Sequence, residues 1–224
     1  MQDYRFSEDL DFTLTEDASI NPQEIVSYLL EAFSIGSRLF GLCINDENID
    51  IRPFPDKNGL FIQVKIPFQS PLRGAGSLPK VKLDLSKGEI IVDSPKILPL
   101  IHPYSDAPMI STRVKCYGMD EIFAEKCRAL VERTRPRDLY DVVNLYERFY
   151  RNAVSSGNLK GIMKKKFHFK NLKFPHDLTS LGHDAFSETR EDWQSMLSHQ
   201  LFPLNPMETY LEIYPEICEF LENL

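Results

Sequence analysis

Two aspartates near the start of the chain, Asp9 and Asp11, stand two residues apart in a stretch that alternates polar and apolar residues. Successive side chains of a strand point to opposite faces, so we expect both carboxylates on one face with Ser7, while Leu10 and Phe12 point into a core. Carboxylates placed this way can bridge a pair of Mg²⁺ ions, as in two-metal phosphoryl transfer. The alternative is a solvated strand face, because a D-x-D pattern alone is weakly specific.

A third carboxylate, Asp84, stands in a second alternating stretch, VKLDL at residues 81–85, where it shares a polar face with Lys82. If this strand pairs beside the first, Asp84 joins Asp9 and Asp11. Three acids on adjacent strands repel one another unless cations neutralise them, which favours metal binding. The alternative is an ordinary amphipathic strand.

Two helical positions could supply further groups. Lys126 lies next to Cys127 at the edge of an apolar stripe. It is either a lysine whose charged end reaches water or a cation that holds a triphosphate. Asp138 lies in the first turn of the next helix, where the helix dipole favours an acid. The density of Arg and Asp in RPRDLYD at 135–141 exceeds what capping requires.

The first half of the chain predicts strands with one helix among them. That helix begins at Pro22, directly after an Asn cap. Asn58-Gly59 predicts a hairpin turn that leads into a strand over 60–68. Lys87-Gly88 predicts a second hairpin, between strands at 81–85 and 89–92. These strands are expected to position the three carboxylates.

The second half predicts helices. Apolar residues at helical spacing favour helices over 119–133 and 136–150, and the remainder, 159–224, is expected to be helical as well. Strands first and helices after predict an α+β architecture. We expect two domains, residues 1–117 and 118–224.

Composition excludes several classes of protein. The chain has 224 residues, of which 42% are hydrophobic and 26% charged, which argues against coiled-coil, collagen-like and disordered proteins. No apolar run reaches the roughly 18 residues of a membrane span. The first residues lack the pattern of a signal peptide, so we expect a cytoplasmic protein without membrane contact.

The net charge of −7 does not exclude a nucleic-acid partner. Residues 177–224 contain ten acidic residues and one basic residue, so residues 1–176 carry a net +2. The segment 159–174, LKGIMKKKFHFKNLKF, contains six lysines and no acid. Such a segment could hold an RNA backbone and stack bases on its phenylalanines. The equally weighted alternative is a solvated helix face with buried phenylalanines. The candidate RNA-binding residues are Lys164, Lys165, Lys166 and Lys170.

Four segments, in this order, resemble the AbiEii-type nucleotidyltransferases, the toxin side of a class of toxin–antitoxin and abortive-infection systems. The segments are FSEDLDFTL at 6–14, VKLDLS at 81–86, AEKCRALVER at 124–133 and RDLYDVVNL at 137–145. The resemblance implies a polymerase-β-like nucleotidyltransferase core with a mixed sheet, followed by a helical domain. It implies transfer of a nucleotide from an NTP to an acceptor with Mg²⁺ or Mn²⁺. The acceptor reported for characterised members is the 3′ end of tRNA, and a cognate antitoxin is an implied partner.

The resemblance also implies roles for the strand residues. Asp9 and Asp11 match the metal-binding pair, and Ser7 lies with them at the triphosphate. Asp84 matches the third strand carboxylate, a metal ligand and the candidate base for the acceptor hydroxyl.

Two helical residues also match the family, whereas the start of the chain departs from its pattern. Lys126 matches the nucleotide-contacting lysine, and Asp138 matches the acid of the last motif. The family places a Gly-Gly or Gly-Ser turn ahead of the D-x-D, where backbone amides cradle phosphates. Only eight residues precede Asp9, and none is glycine. We therefore expect the chain to lack that strand and turn, which would leave a sheet edge open to dimerisation or partner binding.

Two other functions use the same residues. One is a catalytically inactive relative that binds a partner through the open edge. The other is a nucleotidyltransferase with a small-molecule acceptor, for which the lysine segment would be dispensable.

Overall fold

The chain forms six strands and seven helices within the residues that the computed structural model describes. These residues are 4–7, 9–15, 18, 21–41, 43–44, 48–54, 61–69, 77–101, 112–153, 157–201 and 203–224. The strands are β1 (Leu10–Leu14), β2 (Asp50–Pro53), β3 (Phe61–Pro67), β4 (Lys80–Lys87), β5 (Lys96–Pro99) and β6 (Arg113–Cys116). The helices are α1 (Pro22–Phe40), α2 (Met119–Arg133), α3 (Pro136–Phe149), α4 (Leu159–Phe169), α5 (His176–Thr179), α6 (Ser187–Leu197) and α7 (Met207–Glu222), with a short 3₁₀ helix at His183–Phe186. The turn expected at Asn58-Gly59 lies outside the described residues.

The chain packs as two compact units. The sheet unit comprises the described residues from Phe6 to Glu89, and the helical unit comprises Tyr4 and Arg5 with the described residues from Ile90 to Leu224. Strands followed by helices confirm the predicted α+β class. The domain boundary expected at 117/118 stays a prediction.

The sheet unit is built on one four-stranded mixed sheet. Its strand order is β1-β4-β3-β2, with β1 parallel to β4 and the other two pairs antiparallel. The expected hairpin between 81–85 and 89–92 is wrong, because β4 pairs with β1 and β3 and residues 89–92 form no strand. The backbone N–H of Val92 instead donates to the carboxylate of Glu121 at 2.9 Å. A remote side chain thus replaces the ladder that local alternation predicts.

Helix α1 covers the apolar face of the sheet. Asn21 caps it by accepting a hydrogen bond from the backbone N–H of Gln23 at 2.9 Å, as the sequence predicts. The core of this unit consists of Ile25, Ile62, Val64, Ile66 and Leu85.

The apolar residues of β1 are not buried as the sequence predicts. Leu10 and Phe12 are 50% and 48% exposed, so the expectation that they point into a core is wrong. Strand β1 has one neighbour among the described strands, β4, and the core is built from α1, β3 and β4. Dimerisation or partner binding at this edge stays a prediction.

The helical unit has a larger core, made by α2, α3, α4, α6 and α7. Its fully buried residues include Phe123, Leu130, Leu139, Val143 and Ile217. The predicted helix over 119–133 is confirmed, and the next helix ends one residue before the expected 150. Among the described helices, none is both long and apolar enough to cross a membrane.

Candidate functional site

A row of polar side chains crosses three strands of the sheet. Asp11 in β1 stands opposite Asp84 in β4, and Gln63 in β3 stands opposite Asp84 on the other side. Residues in register on neighbouring strands project from the same face. Gln63 Nε2 donates to Asp84 Oδ1 at 3.1 Å, which orients that carboxylate. The condition for a carboxylate triad, that β1 and β4 are neighbours, is therefore met.

Asp9 adds a third carboxylate at the start of β1. Its Oδ1 is buried and accepts no hydrogen bond from the described residues, although Lys82 Nζ lies 3.4 Å away. Ser7 donates its hydroxyl to the backbone carbonyl of Asp9 at 2.9 Å, which shapes the turn into the strand. Lys82 compensates the charge of this oxygen without a hydrogen bond to it, and a bound metal ion would supply the direct contact that Lys82 does not make.

The carboxylates fit a metal that is shared with a substrate better than one held by protein alone. Within the described ranges, no group of three or more Asp, Glu, His or Cys side chains is arranged to hold a metal ion. Mg²⁺ is commonly bound by one or two carboxylates together with substrate phosphates. The Oδ1 of Asp9, which lies 3.4 Å from Lys82 Nζ but accepts no hydrogen bond from the described residues, agrees with such a partial donor set.

The helical unit contains a second charged cluster, centred on Asp141. Its fully buried carboxylate accepts hydrogen bonds from the Tyr4 hydroxyl at 2.8 Å and from Arg5 Nε and Nη2 at 2.8 and 2.6 Å. Lys126 Nζ lies 2.7 Å from Asp141 Oδ2. Burial would raise the pKa of Asp141, but the hydrogen bonds from Arg5 and the charge of Lys126 outweigh it and lower the pKa.

Sequence reasoning found Lys126 but missed the other three members of the cluster, Asp141, Arg5 and Tyr4. Asp141 stands three residues after Asp138 in the segment RDLYD, so the density of charge there was a usable signal. Arg5 and Tyr4 carry no local signal, since their partner is more than a hundred residues away.

Asp138 is engaged by a different arginine. Its side chain is 1% exposed, and its two oxygens accept hydrogen bonds from Arg133 Nε and Nη2 at 2.7 and 2.8 Å. Such a bidentate pair compensates a buried carboxylate. The expected nucleotide contact of Asp138 stays a prediction.

The structure therefore divides the predicted site residues between the two units. Ser7, Asp9, Asp11 and Asp84 belong to the sheet unit, whereas Lys126 and Asp138 belong to the helical unit.

Helix α4 separates the candidate RNA-binding lysines into two groups. Lys164 and Lys165 are exposed and form no ion pair with any described residue, and Lys170 Nζ lies 5.1 Å from the centre of the Phe169 ring. Lys166 is only 1% exposed, so its predicted contact with RNA is wrong.

Lys166 is turned inward by the helical repeat. It follows Ile162 by four residues and Met163 by three, and both of these are buried. Its ammonium contacts Glu121 at 2.8 Å, Glu125 at 2.7 Å and the backbone carbonyl of Ile90.

The fold is that of known nucleotidyltransferases. The chain is similar to JHP933 from Helicobacter pylori, with 17% identity over 98% of this chain and 77% of that chain, and a TM-score of 0.56. It is also similar to MenT4, the nucleotidyltransferase toxin Rv2826c from Mycobacterium tuberculosis H37Rv, with 17% identity over 98% and 70% of the two chains and a TM-score of 0.61. No curated protein matches the chain.

The family follows from the sequence. The model of the family described as nucleotidyl transferase AbiEii toxin, type IV toxin–antitoxin system, matches residues 1–223. The chain belongs to this family, and the resemblance carried by the four segments is confirmed. It is a nucleotidyltransferase-family enzyme and the toxin of a toxin–antitoxin system.

Proposed function

We propose that this protein transfers a nucleotide from an NTP to the 3′ end of tRNA, with Mg²⁺ or Mn²⁺. The observation that carries the proposal is the register that puts Asp11 beside Asp84, on strands that also bring Asp9 within 3.4 Å of Lys82. Family membership supplies the reaction class, and the acceptor is the finer part of the proposal. We also propose a cytoplasmic location, since that is where tRNA serves translation.

Asp9 and Asp11 are proposed to hold the metal together with the phosphates of the NTP. Bound there, the ion would neutralise charge on the phosphates during transfer. The Lys82 ammonium, 3.4 Å from Asp9, balances the carboxylate until a ligand arrives. Ser7 is proposed to contact the triphosphate from the turn that precedes β1.

Asp84 is proposed as a further metal ligand and as the base. It accepts the proton of the acceptor hydroxyl while the hydroxyl oxygen forms a bond to the α-phosphorus and the bond to pyrophosphate breaks. The hydrogen bond from Gln63 to Oδ1 leaves Oδ2 to receive the proton. Lys126 is proposed to steady the phosphates, with Asp138 as a further nucleotide contact.

The exposed side of α4 is proposed to bind the RNA backbone. Lys164 and Lys165 carry positive charge without an ion-pair partner among the described residues, and the half-exposed ring of Phe169 lies on the same stretch of helix. Lys170 completes the group beside that ring. Lysines next to a half-exposed aromatic ring suit a phosphate backbone with unstacked bases.

The decisive experiment measures incorporation of labelled NTP into tRNA. Asp84→Asn should lower the rate by about 10²-fold or more, as expected for the loss of a general base. The matched control is Asp50→Asn in β2, because Asp50 is a carboxylate in the same sheet, paired with Arg52. Equal rates for Asp84→Asn and Asp50→Asn would refute the assignment of the base.

A second measurement separates the acceptor classes. Reversing charge at Lys164 and Lys165 together should weaken RNA binding and reduce its salt dependence. If tRNA labelling stays at the wild-type rate in this variant, the RNA contact on α4 is wrong; a small-molecule acceptor gains support only if the wild-type protein does not label tRNA.

A further inference from the structure

The cluster around Asp141 has an unequal charge count. Two cations, Arg5 and Lys126, contact one buried carboxylate, so these three side chains together carry a charge of +1. Lys126 is 30% exposed, whereas Arg5 is 13% exposed and Asp141 is fully buried. The excess positive charge therefore reaches the surface at the ammonium group of Lys126.

The hydrogen bonds define which cation is held most tightly. Arg5 binds Asp141 with two nitrogens, and its Nη1 donates to Gln200 Oε1 at 3.3 Å. An ammonium has three donors, and Lys126 has one close acceptor, Asp141 Oδ2, in the described part of the chain. Arg5 is thus the fixed member of the cluster, and Lys126 retains donors for a ligand.

We propose that Tyr4, Arg5 and Asp141 form a clamp that positions the Lys126 ammonium for the phosphates of the NTP. The proposal rests on the nucleotide contact assigned to Lys126 under the proposed function. Tyr4, Arg5 and Asp141 are positioning residues, since they act through Lys126.

The physical reason is competition for one carboxylate. With Arg5 on both oxygens of Asp141, Lys126 shares its partner and keeps most of its attraction for anions. Without Arg5, Asp141 and Lys126 become a neutral one-to-one pair, and an incoming phosphate must compete with a full counter-charge. The Tyr4 hydroxyl holds the same oxygen as Arg5 Nε, which keeps the carboxylate oriented.

Aromatic contacts support this arrangement. The Tyr4 ring meets the Tyr140 ring edge-on at 5.6 Å, and the Arg148 guanidinium lies 5.6 Å from the centre of the Tyr4 ring. Two residues that precede the sheet unit are thereby fixed to α3. A ligand group supported by locked neighbours pays less ordering entropy on binding.

The test is a double-mutant cycle on phosphate binding. Calorimetry measures the Kd of inorganic tripolyphosphate with Mg²⁺ for the wild type and for the variants Arg5→Met, Lys126→Met and both together. We expect Arg5→Met alone to raise Kd by about tenfold and to add less than about twofold in the Lys126→Met background. Additive effects would overturn the clamp, because Arg5 would then act independently of Lys126.

Three further variants separate positioning from folding. Arg5→Lys keeps the charge but loses the two-nitrogen contact, so its Kd should lie between those of the wild type and Arg5→Met, and Tyr4→Phe should raise Kd by about threefold without removing the ring. Arg151→Met is the matched control, since Arg151 pairs with Glu147 and Glu216 and not with Asp141. If Arg5→Met does not fold, an unchanged Kd in Tyr4→Phe overturns the proposal.

The binding assay also separates this proposal from the proposed function. Tripolyphosphate binding that obeys the cycle, without any labelling of tRNA, would retain the clamp and reject the acceptor. Labelling of tRNA by an Arg5→Met variant with unchanged Kd would retain the function and reject the clamp.

Discussion

Lys166→Met should destabilise the helical unit strongly, although the substitution lies in a run of three lysines. Lys166 is 1% exposed, and its ammonium contacts the fully buried Glu121 and the mostly buried Glu125. Glu121 in turn accepts hydrogen bonds from the backbone N–H groups of Val92 and Asp93 at 2.9 and 2.8 Å. Without the cation, Glu121 has no ion-pair partner among the described residues, and Glu125 retains only Arg128 there.

The magnitude follows from that burial. Breaking a buried ion pair by removing one partner costs about 3–5 kcal/mol, because a charge stays behind without compensation. At roughly 2–4 °C per kcal/mol for a chain of this size, Tm should fall on the order of 10 °C. The same substitution at the exposed Lys164 should change the free energy of unfolding by less than about 0.5 kcal/mol.

The assay uses the only tryptophan of the chain. Trp193 is 5% exposed and donates to the backbone carbonyl of Asn205 at 3.0 Å, so its fluorescence reports on the helical unit. Urea unfolding followed at this residue gives the midpoint and slope for the wild type, Lys166→Met and Lys164→Met. Equal midpoints for the two variants would refute the inward orientation of Lys166.

The pH dependence gives an independent check. Burial lowers the pKa of Lys166 and raises that of Glu125, but in each case the neighbouring opposite charges outweigh burial, so the pKa of Lys166 is raised and that of Glu125 is lowered. The pair therefore stabilises the fold from above the ordinary Glu value of 4.5 to below the ordinary Lys value of 10.5. The difference between wild type and Lys166→Met should shrink as the pH falls below the ordinary Glu value of 4.5. A difference that grows in acid would contradict this assignment.

Three further predictions concern the cap, the sheet and the buried acid. Asn21→Ala removes the cap of α1 and should lower the free energy of unfolding by about 1 kcal/mol, measured by urea unfolding with circular dichroism. An unchanged midpoint would contradict this role of Asn21. Ile62→Ala should lower the free energy of unfolding by about 2–5 kcal/mol. Phe12→Ala should lower it by about half as much or less, because Phe12 is 48% exposed. Equal losses of stability in the two variants would contradict the observed core. Because its pKa is lowered from the ordinary value of 3.8, the ionised Asp141 carboxylate stabilises the fold above that pH, and this contribution is lost as the pH falls. Asp141→Asn should therefore lower stability at pH 7 and flatten the acid limb of a plot of Tm against pH. An acid limb identical to that of the wild type would reject this role.

Local patterns predicted many of the elements. Strict alternation placed β1 and β4, and the Asn21 cap with Pro22 placed the start of α1. Apolar spacing gave the bounds of α2 without error. These predictions succeed because strand alternation, helix periodicity and capping depend on contacts between residues only a few positions apart.

The same reasoning failed where side chains from distant segments intervene. Residues 89–92 alternate like a strand, but the Glu121 carboxylate takes the N–H of Val92 that a ladder would use. Phe12 has the pattern of a core residue, yet its strand has one neighbour among the described strands. Lys166 belongs to a run of lysines that suggests a solvated face, but the phase of α4 turns it inward.

For the candidate site, too, the sequence predicts some features and only the fold determines others. Types and spacing of residues identify Asp9, Asp11 and Asp84 as acids on strand faces, and the four ordered segments identify the family. The pairing of β1 with β4, which sets Asp11 beside Asp84, and the meeting of Arg5 with Asp141 across 136 positions arise only on folding. A buried charge is tolerated only with a partner, and that partner comes from whichever segment the packed core brings beside it.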